Sequence, residues 1–400
     1  MDRRQFSLAA STLLANAATE CGDVLGAEKT GEKSWRVAVI GHTGRGDFGH
    51  GLDTVWLRIP NANIVAVADA NESGLKKELS KLQLQSGAGY GDYCQMLQRE
   101  RPEIVVVCPR HLDQHHDMIM AAVAAGARGI YVEKPFVRSP AEADSVIAAC
   151  GRSGTKLAIA HRNRYHPTLQ RLDKMIANGD IGKLLEIRGR GKGDRRGGSE
   201  DLWVLGSHVL NLMAYFGGSP KSCSAVMYQD GDRVDATDVA EGREGLGLLA
   251  GNELHATYRL ENGVTGYFDS IANDGTKNHG FGLQLIGSEG VIQIRCDAAP
   301  LAHLIAGNPF EPTVPRSWVP ISSAGAGVDE PIADMRSMIH GHELPARDLL
   351  EAVEKDREPL CGLSEAAETV EMISAVFESH RLGREVRFPL ESRVHPLTRL

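Results

Sequence analysis

No run of 18 apolar residues occurs in the 400-residue chain, so no stretch has the length that a membrane-spanning helix requires. No two cysteines form a C-x-x-C pair. The seven (Cys21, Cys94, Cys108, Cys150, Cys223, Cys296 and Cys361) are odd in number and widely scattered. That spacing excludes a zinc finger or ribbon, and a chain of this size can bury enough surface to do without a disulfide framework. Cys108 ends the apolar run Ile104-Val105-Val106-Val107 and reads as a buried, inert thiol. No Lys/Arg-rich block stands out, and 44 basic against 52 acidic residues leave a net charge of −8. A general nucleic-acid binder needs a basic footprint, so that class is disfavoured. No H-E-x-x-H pattern accompanies the one dense histidine group, His111, His115 and His116, and no metal is expected there. What is present is ordinary for a globular protein, with 42% hydrophobic and 24% charged residues. The length predicts two or three domains of roughly 100–200 residues.

The N-terminus reads Asp2-Arg3-Arg4-Gln5-Phe6-Ser7-Leu8, followed by a small and apolar run over 9–18. A paired arginine, a Phe and a short mild apolar run resemble a twin-arginine export signal. The run is too short and, with Ser11, Thr12 and Asn16, too polar to anchor in a membrane. Cleavage is expected near Asn16-Ala17-Ala18. Cys21 lacks the flanking residues of a good lipoprotein box. Residues 28–34 form a polar linker, and the folded protein is expected to begin at Trp35. The signal and linker are placed at 1–33, and the protein is expected in the periplasm.

Over 35–160, short apolar runs alternate with helical stretches. Strands are expected at 37–40, 64–68, 104–108, 130–132 and 157–160, and helices at 52–58, 72–82, 91–98, 113–125 and 141–150. This alternation predicts βαβ units and a parallel, helix-covered sheet. Gly41-His42-Thr43-Gly44-Arg45-Gly46-Asp47-Phe48-Gly49-His50-Gly51 follows the first strand at once. In that place, backbone N–H groups and a helix N-terminus can receive a pyrophosphate. Two registers of the G-x-G-x-x-G pattern fit. Gly41/Thr43/Gly46 starts where the strand stops and is preferred, while Gly44/Gly46/Gly49 matches literally but begins three residues later. Asp69 ends the second strand, where a carboxylate can accept from ribose hydroxyls and repel a 2′-phosphate, favouring NAD over NADP.

Tyr131-Val132-Glu133-Lys134-Pro135-Phe136 closely resembles the Glu-Lys-Pro signature of the glucose–fructose oxidoreductase/inositol dehydrogenase (Gfo/Idh/MocA) family. Other segments match in order. Residues 109–126 resemble its Pro-x-x-x-His helix segment, with Pro109 at its head and His115 at the usual histidine. His161-Arg162-Asn163-Arg164-Tyr165-His166-Pro167 resembles its passage into the second domain. Asn178-Gly179-Asp180-Ile181-Gly182-Lys183 resembles its Gly-x-(Ile/Leu)-Gly turn, and 362–387 its terminal helix and strand. The resemblance runs from about Trp35 to Pro389.

Beyond 161 the pattern changes to short β-type runs at 184–190, 222–227, 254–260, 264–268, 283–286 and 291–295, several joined by tight glycine turns, which implies a mostly antiparallel open sheet. The chain is therefore expected to be α/β, with an NAD-binding Rossmann domain at 34–160. A C-terminal α+β domain at 161–400 would be the substrate-binding and oligomerisation domain.

An apolar helical segment at 201–211 carries His208. The family's helix reads Asp-x-Gly-x-His-x-x-Asp. Here Gly206 and His208 match, while Val204 and Asn211 replace the two acids.

The resemblance implies hydride transfer between the nicotinamide of NAD and a sugar or polyol, with NADP less favoured. Lys134 and His208 are the candidate catalytic pair, His208 taking the hydroxyl proton and Lys134 polarising the same oxygen. Gly41, Thr43, Gly44, Gly46, Asp69, Pro109, His115, Glu133 and Lys134 are expected at the cofactor. Arg164, Tyr165 and Asn211 are expected at the substrate, a small sugar or glycoside. No nucleic-acid or membrane partner is expected, and the family implies a homo-oligomer. Two alternatives stay open: an NAD-dependent glycosidase working by transient oxidation, elimination and water addition, or a nucleotide-binding homologue without turnover.

Overall fold

The computed structural model describes residues 34–311 and 315–400, and the expected export signal and linker lie outside them. β1 (Trp35–Ile40), β2 (Ala62–Ala68), β3 (Gly89–Tyr90), β4 (Ile104–Val107), β5 (Gly129–Val132) and β6 (Lys156–Ile159) form a parallel sheet in the order β3-β2-β1-β4-β5-β6. β4 and β5 are apolar and buried at every position, as befits a sheet covered on both faces. The strand order reverses between β1 and β4, and doubly wound sheets open their ligand crevice outside the carboxyl ends of such a pair.

α1 (Glu72–Lys81), α2 (Tyr93–Glu100), α3 (His115–Ala124) and α4 (Pro140–Ser153) lie between the strands. The Asn71 side chain caps α1 by accepting from Gly74 N, and Ser139 caps α4 from Glu142 N with Pro140 in its first turn. The helix expected at 52–58 is only a single 3-10 turn, Val55–Arg58. Gly44, Gly46, Gly49 and Gly51 all take left-handed backbone, so the chain stays in turns almost until that point.

The second sheet contains β7 (Leu184–Arg190), β8 (Pro220–Gln229) and β9 (Asp232–Arg233), while β10 (Ala240–Glu241) and β11 (Leu248–Leu249) pair apart from it. It continues through β12 (Glu253–Leu260), β13 (Thr265–Ile271), β14 (Gly282–Gly287), β15 (Gly290–Arg295), β16 (Ala302–Ala306), β17 (Val319–Ile321) and β18 (Val386–Arg387). The order is β17-β16-β15-β14-β7-β13-β12-β8-β18, with β9 on β8, and all these neighbours are antiparallel except β7 and β13. α5 (Thr168–Asn178), α6 (Ser199–Val204) and α7 (Gly206–Gly217) precede β8, and α8 (Met335–His340), α9 (Glu343–Lys355) and α10 (Leu363–Leu382) come late.

Those late helices serve both sheets. Ala346, Leu349 and Val353 of α9 share one apolar cluster with Trp35, Val37, Ile104 and Tyr131 of the first sheet. α10 packs on β6 and α4 as well as on α7 and β8.

The expected helix at 201–211 is broken in two. His208 N donates to Leu205 O at 3.1 Å rather than to the Val204 carbonyl four residues back. That break leaves the Val204 oxygen free to meet a side chain from the first sheet.

Candidate active site

The glycine loop is held by side chains at both ends. Asp69, only 1% exposed, accepts from Thr43 N at 3.1 Å, Thr43 Oγ1 at 2.6 Å and Asn71 N at 2.9 Å. Its carboxylate thus shapes the loop. At the other end, Glu133 accepts from His50 N at 3.4 Å and lies 3.2 Å from His50 Nδ1. A Cβ on Gly49 would stand 2.8 Å from Glu133 Oε2, and one on Gly46 would stand 2.2 Å from Arg110 N. At Gly44, φ is +84° and nothing lies within 4 Å of where a Cβ would be. The loop is therefore pinned on its inner side and open at its crest. Gly41 has ordinary backbone, and the Phe48 ring fills the space beside it. All three glycines of the later register are left-handed.

Beside this loop, at the carboxyl ends of β5 and β6, Lys134, His208, Glu133, Arg162, Asp297 and His342 line a cavity of about 60 Å³. Lys134 Nζ donates to the freed Val204 carbonyl at 3.1 Å. Burial lowers the Lys134 pKa from the ordinary lysine value, opposed by the charges of Glu133 and Asp297. His208 is 3% exposed, its Nδ1 lies 3.3 Å from His161 Nδ1, and the two rings meet edge-on. Burial, then His161 and Lys134, hold the His208 pKa well below the ordinary histidine value, and burial brings His161 down to about 3. Burial alone would raise Glu133, but the hydrogen bond and charge of His50 bring it down to about 2. Burial also opposes ionisation of Asp297. Its pairing with Arg162 (Nε to Oδ1 2.9 Å, Nη2 to Oδ2 2.8 Å) and a hydrogen bond from Asn163 Nδ2 at 3.0 Å outweigh it. The cavity therefore sets the neutral rings of His208 and His342 against a fixed ion pair.

Asp297 and His342 were missed by sequence reasoning. Each stands in a turn with left-handed backbone, φ +59°, and no local pattern marks them. His342 is 1% exposed, its Nδ1 is 2.7 Å from Tyr131 Oη, and its Nε2 has no hydrogen-bond partner.

Several expected site residues lie elsewhere. His115 is fully buried, with Nδ1 2.9 Å from Pro135 O and Nε2 2.6 Å from Pro109 O, so it ties two strand-end turns together instead of facing a cofactor, and Pro109 serves as its acceptor. His116 turns away to Ser145, and no group of three His, Cys, Asp or Glu able to hold a metal occurs among the described residues. Arg164 stacks on Tyr215 at 3.7 Å from the ring centroid, and Tyr165 is buried with its hydroxyl directed at Cys361 O. Neither lines the cavity; Arg162 does. Asn211 is buried between α7 and α10, donating to Thr369 Oγ1 at 3.2 Å. Glu133 accepts from the Lys134 backbone N–H at 3.1 Å and from His50, not from the Lys134 ammonium.

A pinned loop with an open crest at the switch point fits a dinucleotide pyrophosphate received by backbone N–H groups. The comparisons agree. Residues 35–161 match the model of an oxidoreductase family with an NAD-binding Rossmann fold, and 173–388 match that family's C-terminal alpha/beta domain. The chain is 26% identical over 234 residues to D-apiose dehydrogenase of Paraburkholderia graminis, covering 56% of this chain and 60% of that one. It is 26% identical over 219 residues to levoglucosan dehydrogenase of Pseudarthrobacter phenanthrenivorans, covering 48% of this chain and 55% of that one. The aligned stretches thus span under two thirds of those relatives' length. A levoglucosan dehydrogenase structure in complex with NADH and L-sorbose shares the fold, with a TM-score of 0.71 and 18% identity over 90% of this chain and all of that one. An Agrobacterium radiobacter oxidoreductase in complex with NAD+, L-tartaric acid and magnesium has a TM-score of 0.66 and 16% identity over 89% of this chain and 98% of that one. With both halves of the chain matched in order, the protein belongs to the Gfo/Idh/MocA oxidoreductase family.

Proposed function

We propose that the protein is an exported NAD-dependent oxidoreductase that transfers hydride between the nicotinamide and a hydroxyl-bearing carbon of a sugar or polyol. The observation that carries this reading is the convergence of Lys134 and His208 on one small cavity beside the glycine loop. NAD, when bound, supplies the hydride acceptor. The loop around Gly44 and Gly46 would receive its pyrophosphate, the Gly44 N–H exchanging its present partner, the Asp47 carboxylate at 2.9 Å, with Thr43 and Asp69 shaping the loop beneath. The Lys134 ammonium, anchored on the Val204 carbonyl, donates a hydrogen bond to the substrate hydroxyl oxygen. His208, neutral at physiological pH, takes the hydroxyl proton, and the fixed charge of Asp297 favours the imidazolium that results. Asp297 thus offers the cavity a carboxylate where the family's helix would carry one at Val204.

Preference for NAD over NADP is part of this reading, since the Asp69 carboxylate sits beneath the loop at the end of β2. Export rests on Arg3-Arg4 and the apolar run that follows. A homo-oligomer formed across the second sheet fits β12 and β13, where buried positions alternate with less buried ones on the other face.

The test is calorimetric titration with NAD and NADP followed by a turnover screen over polyols, sugars and glycosides. Tighter NAD binding and NADH formation are expected. Equal affinities would remove the role given to Asp69. Binding without turnover on any compound would leave a nucleotide-binding protein, and glycoside cleavage without net NADH would mark the redox-neutral glycosidase route.

A further inference from the structure

A second, larger cavity adjoins the first. It measures about 260 Å³ against about 60 Å³ for the cavity at Lys134 and His208. Asp297 lines both, and its Oδ1 accepts from Arg162, which faces the small cavity, and from Asn163, which faces the large one. A single ion-paired carboxylate is therefore the shared wall.

The large cavity differs in chemistry from its neighbour. Leu301, Pro320, Ile321, Val328, Met335 and Ile339 give it an aliphatic lining, contributed by β17, α8 and the turns around them. Asp329, Arg336 and His340 also line it, though most of the surface facing the cavity is apolar. Glu330 is engaged by Ser323, and Asn163 by Asp297. Burial brings the nearby His166 down to about 4, so it presents a neutral ring. A free monosaccharide carries hydroxyls around its whole ring and would leave several of them facing aliphatic carbon, at a cost for each unpaired group. An apolar group joined to a sugar through a glycosidic oxygen matches both spaces. Its sugar carbon would sit by Lys134 and His208, the linking oxygen would pass Asp297, and the apolar part would fill the aliphatic chamber.

Resting on the oxidoreductase reading above, we infer that the substrate is a glycoside with an apolar aglycone and that the chamber around Val328, Met335 and Ile339 is its aglycone subsite. Burying a phenyl-sized group there should lower KM, and the dissociation constant, by roughly 10- to 100-fold relative to the free sugar.

The test compares a panel of hexoses with their phenyl glycosides on the NAD-loaded enzyme. Turnover is read as NADH or as released phenol, and binding by calorimetry. Val328→Trp is the probe of the chamber, because Val328 is 52% exposed at its edge and an indole there can fill the space without disturbing the core. Tighter binding of the phenyl glycosides, lost in Val328→Trp while any hexose turnover is unchanged, supports the subsite. Equal binding of hexose and phenyl glycoside by the unaltered enzyme overturns it, even where hexose oxidation proceeds normally. A binding preference that survives Val328→Trp in a protein of unchanged melting temperature also overturns it. If no compound turns over, the oxidoreductase reading fails on its own, and the binding comparison still decides the subsite.

Discussion

At the scale of single residues, His208 carries the sharpest consequence. An imidazole facing a solvated crevice could be removed with little void. The structure instead buries it at 3% exposure, edge-on to His161 and tilted over Phe281. His208→Ala therefore removes a candidate base and also opens a void beside an unpaired His161 nitrogen, at about 1–3 kcal/mol. His208→Gln keeps most of the volume and an amide beside His161 while abolishing basicity. We expect it to lower kcat by about 10²–10⁴-fold with little change in melting temperature, and a kcat close to wild type would show that His208 is not the proton acceptor. Lys134→Ala should abolish turnover and leave NAD binding nearly intact by calorimetry. Because the Lys134 pKa is lowered, the alkaline limb of kcat/KM should fall below the ordinary lysine range. Lys134 was legible because its signature is local, six residues ending a buried strand. Choosing between Arg162 and Arg164 was not. Arg162–Tyr165 is a 3-10 turn, in which residues two apart point to different sides, and it is Arg162, not the expected Arg164, that lines the cavity.

At the scale of elements, the glycine loop separates two kinds of requirement that a motif cannot. Gly44 and Gly46 both need left-handed backbone, but only Gly46 is also pressed against another chain segment, with Arg110 N 2.2 Å from its would-be Cβ. Gly44→Ala should cost about 1–2 kcal/mol of backbone strain and weaken NAD binding modestly. Gly46→Ala adds a steric displacement of the 110–111 backbone and should abolish binding. Titration of both variants checks this, and equal effects would show that the inner contact plays no part in shaping the loop. The alternation of strands and helices made the first sheet readable, and the runs beyond 161 located most of the second. What stayed hidden follows from context. The helix expected at 52–58 fails because the glycines before it prolong the turn. The apolar segment at 201–211 keeps its hydrophobicity but breaks near Leu205, where a Cβ on Gly206 would sit 2.8 Å from Phe268. That break frees the carbonyl that Lys134 uses, so a feature no periodicity could show is part of the candidate site.

For the whole molecule, late helices serve both sheets, and a buried carboxyl beside the second makes stability depend on pH. Asp201 on α6 is fully buried. It accepts from Lys192 N just past β7 at 3.0 Å and from Ser270 Oγ on β13 at 2.7 Å, while its second oxygen has no hydrogen-bond partner. Burial pushes its pKa up to about 7, against the opposing hydrogen bonds of Ser270 and Lys192. A carboxyl that binds its proton more tightly when folded than when unfolded destabilises the folded state as pH rises. The loss begins above the unfolded carboxyl value near 4 and is complete once pH passes 7. Glu78, raised to about 8 by burial and by Asp53, acts in the same direction. Buried histidines with lowered pKa values, His161 and His166 among them, act in the opposite sense below about pH 6.5, so the Asp201 contribution is read as a difference between variant and wild type. Asp201→Asn keeps an acceptor for Ser270 and Lys192, supplies a neutral amide in place of the unpartnered oxygen, and cannot ionise. It should match the wild type near pH 5 and exceed it at pH 8 by on the order of 2–4 kcal/mol, visible as a gap between the two thermal-melt profiles that widens with pH. A variant destabilised equally at both pH values would mean that the carboxylate is stabilised in place by its hydrogen bonds and by Arg196, and that Asp201 contributes no pH dependence.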